Sequence, residues 1–490
     1  MKKLAVVFFA MISLSSQAQT NVFLDQSFWK SNPDTVSIRA EIDKGNSPSQ
    51  LNANSFDAVV TAINAGTSNQ SVKYLLSQKG NDVNKLTHDG RTYVFWAASK
   101  GNVELMEYLI SRGAKVDLVD NHGYSVINFA AVGGQQNTKV YDLCLKNGAD
   151  LKKDLTQEGA NTLLLAVAND KDFALTNYFA SKGLDIKSTD AEGNTAFNYA
   201  TKSGNIPLLK SLLEKGVKFT DNAMILASVG SRSGSNSLEL YQYLESLGIK
   251  PAFVNKNGQN ALHAIVRKPK QEEIIKYFIS KGANINQADS EGNTPFMNAA
   301  ASSPDAQLIT SMIGAVKDIN LKNKKGVSAL AMAVRGNSPE IVTLLIDKGA
   351  DLKATDAAGD NLSAYLIQSY SPQRAEAFQG KLALLQAKGI NLALPQQNGN
   401  TLYHVALAKN DLALLKSLES LKIDVNAKNN EGMTVLHKAA MTAKDDRILK
   451  YLIALGAKKD AVTEFKETAF DLAGENEFLS KNSVSIDFLK

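Results

Sequence analysis

The ten residues Glu291–Ala300 read EGNTPFMNAA, and closely similar decapeptides recur elsewhere in the chain. DGRTYVFWAA occupies residues 89–98, and EGMTVLHKAA occupies residues 431–440. All three place glycine second, threonine fourth and a pair of alanines at the end. An internal repeat of this kind decides the fold, because each copy is one small unit and neighbouring copies must stack to bury their apolar faces.

The repeat runs through most of the 490 residues. Length alone predicts about three domains. The template glycine, however, returns at intervals of 33 to 40 residues, apart from one interval of 65 that corresponds to two periods. The chain is therefore predicted to be one array of similar units. The series of template glycines is Gly90, Gly123, Gly159, Gly193, Gly258, Gly292, Gly326, Gly359, Gly399 and Gly432.

Each template position has a physical role. Two residues after every template glycine, and after Lys466 in the last unit, stands Thr, Ser or Asn, which are good caps for a helix N-terminus. Most units then place a small alanine seven residues after the glycine, which lets neighbouring helices approach closely. A second apolar helix follows and most often ends at another glycine, as in Met106–Gly113. The unit is thus predicted to contain two helices and a connecting loop.

The template resembles the ankyrin repeat, whose pattern reads roughly D-x-x-G-x-T-P-L-H-x-A-A, followed by a second helix and L-L-x-x-G-A-D-x-N. The resemblance covers about residues 55–470, although only Pro295 occupies the family's proline position. It implies an all-α ankyrin-repeat α-solenoid of about 13 repeats plus terminal caps, with a finger-like loop in each unit. The segments that carry the resemblance include Gly282–Asn286, Gly349–Asp351, Ala261–His263, Tyr403–His404 and Val435–His437.

The first residues have the three parts of a secretory signal peptide. Lys2 and Lys3 supply positive charge, Leu4–Leu14 is apolar, and Ser15–Ala18 ends in a small residue. An apolar run of 11 residues is too short to span a membrane. We therefore expect an exported protein that is periplasmic or secreted; a buried N-terminal helix is the alternative.

The repeat spacing predicts an order of segments along the chain. A signal peptide in residues 1–19 is followed by capping helices in 20–54 and a first array in 55–219. An irregular unit occupies residues 220–257, where a finger is shortened and a Gly/Ser-rich insert separates the helices. We expect either a kink in the array there or merely a degenerate unit. A second array spans 258–464, and a capping unit spans 465–490.

Few residues are candidates for chemistry. His263, His404 and His437 share one template position in three different repeats, so we expect each to bond to backbone or threonine at a helix start. His88 and His122 are expected on adjacent fingertips as an exposed pair, for which metal binding is a weaker alternative because two ligands rarely suffice. Cys144 stands where leucine is usual, which predicts a core residue, and a lone cysteine excludes an intrachain disulfide. We expect no catalytic, cofactor-binding or metal-binding residues.

Solenoids generally bind partners on the surface that their fingers and first helices form. Two template positions are expected to be exposed there: the residue after the turn glycine, and the residues nine or ten beyond that glycine. The second position is repeatedly basic, which would steer an acidic protein surface towards it. A solvated face of a lysine-rich protein explains the same pattern. The candidate partner-binding residues are Arg91, Lys100, Tyr124, Lys202, Arg267, Lys268, Arg335 and Lys409.

These observations predict a non-catalytic protein–protein interaction scaffold in the bacterial cell envelope. A formal charge of only +5 gives no sign of a nucleic-acid binder, and we expect a monomer without cofactor or stable membrane insertion. One alternative is an enzyme or small-ligand-binding protein with a site near residues 220–237 or 366–380. Another is a secreted effector that binds a host protein.

Overall fold

The described part of the structure, which is a computed structural model, comprises residues 21–231 and 234–490. The signal peptide expected in residues 1–19 lies outside it. The chain divides into two compact units, Met1–Ala223 and Met224–Lys490. Each unit is a succession of helix pairs, and no strand longer than an isolated bridge occurs in the described residues. The all-α architecture that the repeat predicts is confirmed.

The first unit contains twelve helices within its described residues. They are α1 (Gln26–Lys30), α2 (Thr35–Asp43), α3 (Ala58–Ala65), α4 (Asn69–Leu76), α5 (Tyr93–Ser99), α6 (Val103–Ser111), α7 (Val126–Val132), α8 (Thr138–Lys146), α9 (Thr162–Ala166), α10 (Ala174–Ser181), α11 (Ala196–Ala200) and α12 (Ile206–Glu214). Short 3₁₀ turns in this unit are Val22–Leu24, His88–Gly90, Val167–Asn169 and Thr201–Ser203.

The second unit contains sixteen helices within its described residues, the first of which begins one residue before the unit does. They are α13 (Ala223–Val229), α14 (Leu238–Ser246), α15 (Leu262–Ile265), α16 (Glu272–Ser280), α17 (Pro295–Ser302), α18 (Ala306–Ile313), α19 (Ala329–Gly336), α20 (Pro339–Asp347), α21 (Leu362–Gln368), α22 (Ala375–Ala387), α23 (Leu402–Ala406), α24 (Leu412–Ser417), α25 (Val435–Thr442), α26 (Arg447–Ala454), α27 (Ala469–Gly474) and α28 (Glu477–Lys481). Short 3₁₀ turns in this unit are Pro372–Arg374, Leu407–Lys409, Glu419–Leu421 and Asp487–Leu489.

The predicted capping residues begin the first helices. Ten of the eleven are N-caps; the exception is Asn260, because α15 begins one residue later than its counterparts. At Thr294, for example, the side chain accepts a hydrogen bond from the backbone N–H of Met297. Such a cap stabilises a helix by about 1 kcal/mol relative to alanine. The ten N-caps are Thr92, Ser125, Asn161, Thr195, Thr294, Ser328, Asn361, Thr401, Thr434 and Thr468.

The core of each unit is built from the first helices and one face of the second helices. Alanine at the predicted position is buried in all eight units that have it, as at Ala97 and Ala299. Leucine, isoleucine and valine of the second helices cover it, for example Leu105 and Leu109 on α6. Full burial of one such aliphatic side chain contributes about 1.5–3 kcal/mol. The repeat therefore distributes its apolar core evenly along each unit.

The fingers are joined by a backbone ladder. In the second unit the N–H of Ser290 donates to the carbonyl oxygen of Asn257 at 2.7 Å, and that of Lys324 donates to Glu291 at 2.9 Å. The same bond recurs at Ala357 and at Asn430, whose N–H donates to Asn398 at 3.0 Å; between them, the N–H of Gln397 donates instead to the carbonyl of Gly359, one residue further along, at 3.4 Å. Equivalent bonds in the first unit join Asn121 to Asp89 and Ala191 to Glu158. Successive fingers are thereby held in register.

Asparagine side chains join the loops that follow the second helices. Asn286 donates from Nδ2 to the carbonyl of Ala315 at 2.9 Å and accepts from the N–H of Lys317 at 3.0 Å. Each such asparagine bonds both a donor and an acceptor of the next repeat, so the side chain closes a small ring with the neighbouring backbone. The other members of this set are Asn84, Asn320 and Asn426.

The insertion near residue 370 lengthens a helix. The 40-residue spacing from Gly359 to Gly399 predicts an extended inter-helix loop around Gln368–Gln373. That loop is present, because six residues, 369–374, separate α21 from α22, whereas two residues, 337–338, separate α19 from α20. The insertion also extends the following helix: α22 has 13 residues and its counterpart α20 has 9, and Phe378 packs edge-to-face on Tyr370 with ring centroids 5.3 Å apart. The extra helical turn places Lys381 against the end of α19.

Lys381 caps a neighbouring helix from within the core. The side chain is 3% exposed, and its Nζ donates to the carbonyls of Val334 at 2.7 Å and Asn337 at 3.2 Å. In two regular repeats, Asn337 and Asn476 make the equivalent pair of bonds to the preceding first helix. Burial lowers the pKa of the Lys381 ammonium to about 8, and the charge of Arg374 contributes further.

Candidate functional site

The basic residues of the candidate surface lie at the C-terminal ends of first helices. Lys100 is the C-cap of α5, and Arg335 lies in the last turn of α19. Lys202 and Lys409 lie in the 3₁₀ turns that extend α11 and α23. A cation is favourable at this end of a helix because the unsatisfied carbonyls carry partial negative charge. Helix stability therefore accounts for part of the basic pattern.

The exposure of the predicted residues differs from one to another. Lys100, Arg267, Arg335 and Lys409 are exposed, so a partner can reach them. Lys202, Lys268 and Tyr124 are half-buried. The Lys202 ammonium lies 4.7 Å from the centre of the Tyr199 ring, and burial lowers the pKa of Lys202 although Glu158 and Asp190 partly oppose that effect.

The exposure expected at Arg91 was wrong. Its guanidinium is buried, donating from Nε to Asp120 Oδ2 at 2.7 Å and from Nη1 to Asp89 Oδ2 at 3.0 Å. The guanidinium also lies over the Phe129 ring at 4.3 Å. The residue after the turn glycine points along the finger towards the next repeat, where Asp120 is fully buried. Arg91 therefore holds two repeats together and is inaccessible to a partner.

A cavity of about 360 Å³ opens beside the first helices α15 and α17 of the second unit. Arg267 and Lys268 line it, and they are the two predicted residues that the structure brings together there. Ile225 and Val229 belong to the segment 220–237 named above as an alternative site, and His263 is a template histidine, whereas the remaining lining residues occupy ordinary template positions that carry no signal of a site. Besides Arg267 and Lys268, the lining residues are Ile225, Val229, Gln259, Asn260, His263, Ala264, Asp289 and Asn298.

Comparison with protein-family models assigns most of the repeats. Residues 58–153, 136–223 and 224–308 match the family described as ankyrin repeats (3 copies), which covers more than half of the chain. Residues 403–453 match ankyrin repeats (many copies), and residues 325–357 match a single ankyrin repeat. The chain belongs to the ankyrin-repeat family.

Curated relatives share the ankyrin repeats at low identity. The E3 ubiquitin-protein ligase KEG of Arabidopsis thaliana is 22% identical over 325 residues, which are 61% of this chain and 19% of that protein. Transient receptor potential cation channel subfamily A member 1 of Homo sapiens is 22% identical over 413 residues, which are 82% of this chain and 31% of the channel subunit. Phosphocholine transferase AnkX of Legionella pneumophila is 26% identical over 224 residues, which are 45% of this chain and 23% of the transferase. The chain thus spans less than a third of the length of each of these relatives.

The three template histidines have the structural role that their position predicts. In His263 and His404, Nδ1 accepts the backbone N–H of the residue three positions earlier, Asn260 or Thr401, and Nε2 donates to a carbonyl of the next repeat at 3.2 and 3.1 Å. His437 has the same arrangement, with Nε2 at 2.8 Å from the Ala461 carbonyl. Both nitrogens of each ring are used, which leaves none for a metal or a proton transfer.

His88 and His122 converge on a carboxylate. Nε2 of each ring lies 3.2 Å from Asp89 Oδ2, which also binds Arg91. The His88 ring stacks on Phe56 with centroids 4.4 Å apart, and its Nδ1 lies 2.9 Å from the Asn54 carbonyl. Over the described residues, no group of three or more His, Cys, Asp or Glu side chains has a metal-binding arrangement. The cluster is an inter-finger contact.

Cys144 is a core residue, as predicted. Its side chain is fully buried on α8, and burial raises the pKa of the thiol to about 12. A thiol with such a pKa is protonated at neutral pH and is a poor nucleophile.

Within residues 21–231 and 234–490, no helix combines the length and the apolar character needed to cross a bilayer.

Proposed function

We propose that this ankyrin-repeat chain is a non-catalytic scaffold that binds a partner protein on its finger and first-helix surface. The observation that carries the proposal is the repeated unit itself, because stacked units create adjoining surfaces that repeat proteins use for binding. Exposed Lys100, Arg267, Arg335 and Lys409 give this surface its cationic groups. An acidic protein surface is the complementary partner.

The geometry supports recognition more than chemistry. The one histidine in the cavity, His263, already uses both ring nitrogens in hydrogen bonds. Among the described residues that line the cavity there is no serine, threonine or cysteine that could act as a nucleophile. A small-ligand-binding protein is the second candidate function, because the cavity includes Ile225 and Val229 of the irregular unit.

We further propose that the scaffold acts in the bacterial cell envelope, in the periplasm or after secretion. Support comes from the pattern of Lys2, Lys3 and the apolar run Leu4–Leu14. A single cysteine also suits a protein that folds in an oxidising compartment without disulfides. Cell fractionation of a bacterium that expresses the tagged full chain tests this part: recovery in the cytoplasm at full precursor mass would contradict it.

Cross-linking in intact cells tests the binding function. One dominant protein partner, recovered from the envelope fraction and bound saturably by the purified chain, is expected. Reversing the charges of Arg267, Lys268 and Arg335 together should weaken that binding and reduce its salt dependence, since cationic side chains steer acidic partners. A bound small molecule without any protein partner would instead favour the second candidate, and a host protein as sole partner would identify a secreted effector.

A further inference from the structure

The cavity beside α15 and α17 exists because two consecutive repeats carry small residues at one template position. Six residues after the template glycine stand Ala264 and Asn298. In the other regular units this position holds a larger side chain. These side chains are Trp96, Phe129, Leu165, Tyr199, Met332, Tyr365, Val405, Lys438 and Leu472.

In other repeats the larger side chain at this position occupies the equivalent space, and three of these side chains form a hydrogen bond within their own repeat. Tyr199 and Tyr365 each donate from the hydroxyl to an aspartate of their own finger, at 2.9 and 2.7 Å. Trp96 makes the equivalent bond to Thr87 at 3.0 Å. Asn298 instead turns back, donating from Nδ2 to the carbonyl of His263 at 3.0 Å. Two adjacent truncations therefore leave a continuous space of about 360 Å³, which is at the lower end of ligand-pocket sizes.

Two cations lie at this space without an anionic partner. Arg267 donates from Nη2 to Asn298 Oδ1 at 2.7 Å, and Lys268 donates from Nζ to the Val229 carbonyl at 2.6 Å. Both acceptors are neutral, and neither cation forms an ion pair within the described residues. Burial lowers the pKa of Lys268, and no nearby carboxylate offsets that effect. A bound carboxylate would supply the missing charge.

One oxygen of Asp289, the third charged group of the lining, is already engaged. Asp289 accepts the backbone N–H groups of Glu291 and Asn293 at Oδ1, at 2.9 and 2.8 Å, and so holds the turn of its own finger. Over the described residues, the lining therefore carries two cations and one anion, with the anion fixed on the finger. A net positive cavity whose two cations bond only neutral acceptors favours an anionic guest.

The position of Lys268 depends on a glycine. Gly230 has a φ of +66°, and a Cβ at that residue would lie 2.7 Å from Lys268 Nζ. A side chain at this residue would force the ammonium to shift, so glycine leaves room for its present position. Next to this glycine, Val229 is 51% exposed, and Ile225, which also lines the cavity, is buried. An apolar side chain next to the guest carboxylate would cover Val229.

We propose that this cavity receives a glutamate or aspartate side chain from an extended segment of the partner protein, with an aliphatic neighbour packed on Val229. The proposal rests on the proposed scaffold function and adds its specificity. Arg267 and Lys268 bind the carboxylate, while Ala264 and Asn298 provide the depth. An acidic segment fits better than a free anion because the apolar wall adjoins the two cations.

The test is fluorescence anisotropy with the full chain and an end-capped, labelled peptide GELEG, with the neutral peptide GQLQG as its match. The glutamate peptide is expected to bind at least tenfold more tightly than the glutamine peptide, and more weakly as salt is raised. R267Q/K268Q should lose at least tenfold in affinity. R335Q/K409Q removes two exposed cations outside the cavity and should stay within twofold of the parent.

A second variant tests the cavity without altering charge. Ala264→Leu restores a side chain of the size that other repeats have there, and it should abolish binding of the glutamate peptide while the melting temperature shows that the chain is folded. Failure of the parent to bind GELEG at millimolar concentration, equal binding by R267Q/K268Q, or equally tight binding of free glutarate would each overturn the proposal. The scaffold function is contradicted by a different result, namely cross-linking that yields no protein partner. A protein partner that R267Q/K268Q binds with parental affinity would support the scaffold function and contradict only the role of the cavity.

Discussion

The buried guanidinium of Arg91 stabilises the first unit more than any exposed basic side chain can. It joins Asp89 and Asp120 from adjacent fingers and packs on Phe129. Asp120 is fully buried, so its charge has no access to water if Arg91 is removed. Removing an exposed lysine such as Lys100 would leave no buried charge without its partner.

Replacing Arg91 tests this difference. Arg91→Met should lower the free energy of unfolding by about 3–5 kcal/mol, because breaking a buried pair leaves an uncompensated charge. Urea denaturation measures the loss. Lys100→Met is the matched control and should change the free energy by less than about 0.5 kcal/mol. Equal effects of the two substitutions would show that the Arg91 ion pairs contribute no more to the free energy of unfolding than an exposed lysine does.

The template histidines give the fold a dependence on acid. Burial lowers the pKa of His263 and His404, so the folded chain binds protons less readily than the unfolded chain, in which histidine titrates near 6.5. Their stabilising contribution is complete above that value and is lost as the pH falls from it towards the folded pKa. Protonation also removes the Nδ1 acceptor that holds the capping N–H.

His404→Gln is expected to weaken that dependence. Between about pH 7.5 and pH 5.5 the parent should lose more unfolding free energy than the variant, because glutamine does not titrate. Urea denaturation at both pH values measures the difference. Parallel losses in both proteins would mean that His404 is not protonated on unfolding in this range.

Among elements, the loops after the second helices depend on single asparagines. Asn286 bonds a carbonyl and an N–H of the next repeat, and the same pair of bonds recurs at three other junctions. Lys353 occupies the same loop position without such bonds from its side chain. Junctions therefore differ in strength although the helices that flank them are alike.

Asn286→Ala should destabilise the second unit by about 1 kcal/mol, because two exposed hydrogen bonds to the backbone are lost. Lys353→Ala, at the equivalent position, should have an effect below about 0.5 kcal/mol. Thermal or urea unfolding distinguishes them. An Asn286→Ala protein with parental stability would show that water replaces both bonds without cost.

Lys381 makes the pair of hydrogen bonds to the end of a first helix that Asn337 and Asn476 make in two other repeats. The insertion in its repeat displaces the usual asparagine, and the ammonium reaches the C-terminal carbonyls of α19 instead. Because its folded pKa of about 8 lies below the unfolded value of about 10.4, its contribution to stability increases as the pH rises between those values.

The sign of that effect can be measured against Lys381→Met. The difference in unfolding free energy between parent and variant should shift in favour of the parent from about pH 8 to pH 10, by at most about 1.4 kcal/mol for each pH unit. Other titrating groups cancel in the difference. A difference that is constant with pH would mean that Lys381 keeps an ordinary pKa.

Across the whole molecule, stability should be lowest at the ends. A repeat inside either unit packs against two neighbours, whereas the helix pairs α1–α2 and α27–α28 lie at the ends of the array, and α1 and α28 have five residues each. Amide hydrogen exchange should therefore be fastest in residues 26–43 and 469–481 and slowest in the internal first helices. Mass spectrometry of proteolytic fragments measures this; protection that is uniform along the chain would contradict it.

The sequence predicted the helices better than the surface. Capping residues such as Thr294 and core alanines such as Ala299 depend on local backbone and close packing, which the repeat period reveals. Exposure at Arg91 was mispredicted, because the direction of its side chain depends on Asp120, which lies 29 residues away. The cavity was missed although its signal was visible: Ala264 and Asn298 are small where other repeats are large.

The backbone hydrogen bonds between successive fingers persist where a repeat gains residues in its helices. These bonds link each finger to the next from Asn257 to Asn430, across the repeat whose α22 is four residues longer than α20. Residues can thus be added between and within the helices of a repeat while its finger remains hydrogen-bonded to the neighbouring fingers. We therefore expect the chain to tolerate insertion of a tag, a linker or a whole domain beside Ser371, in the connection between α21 and α22.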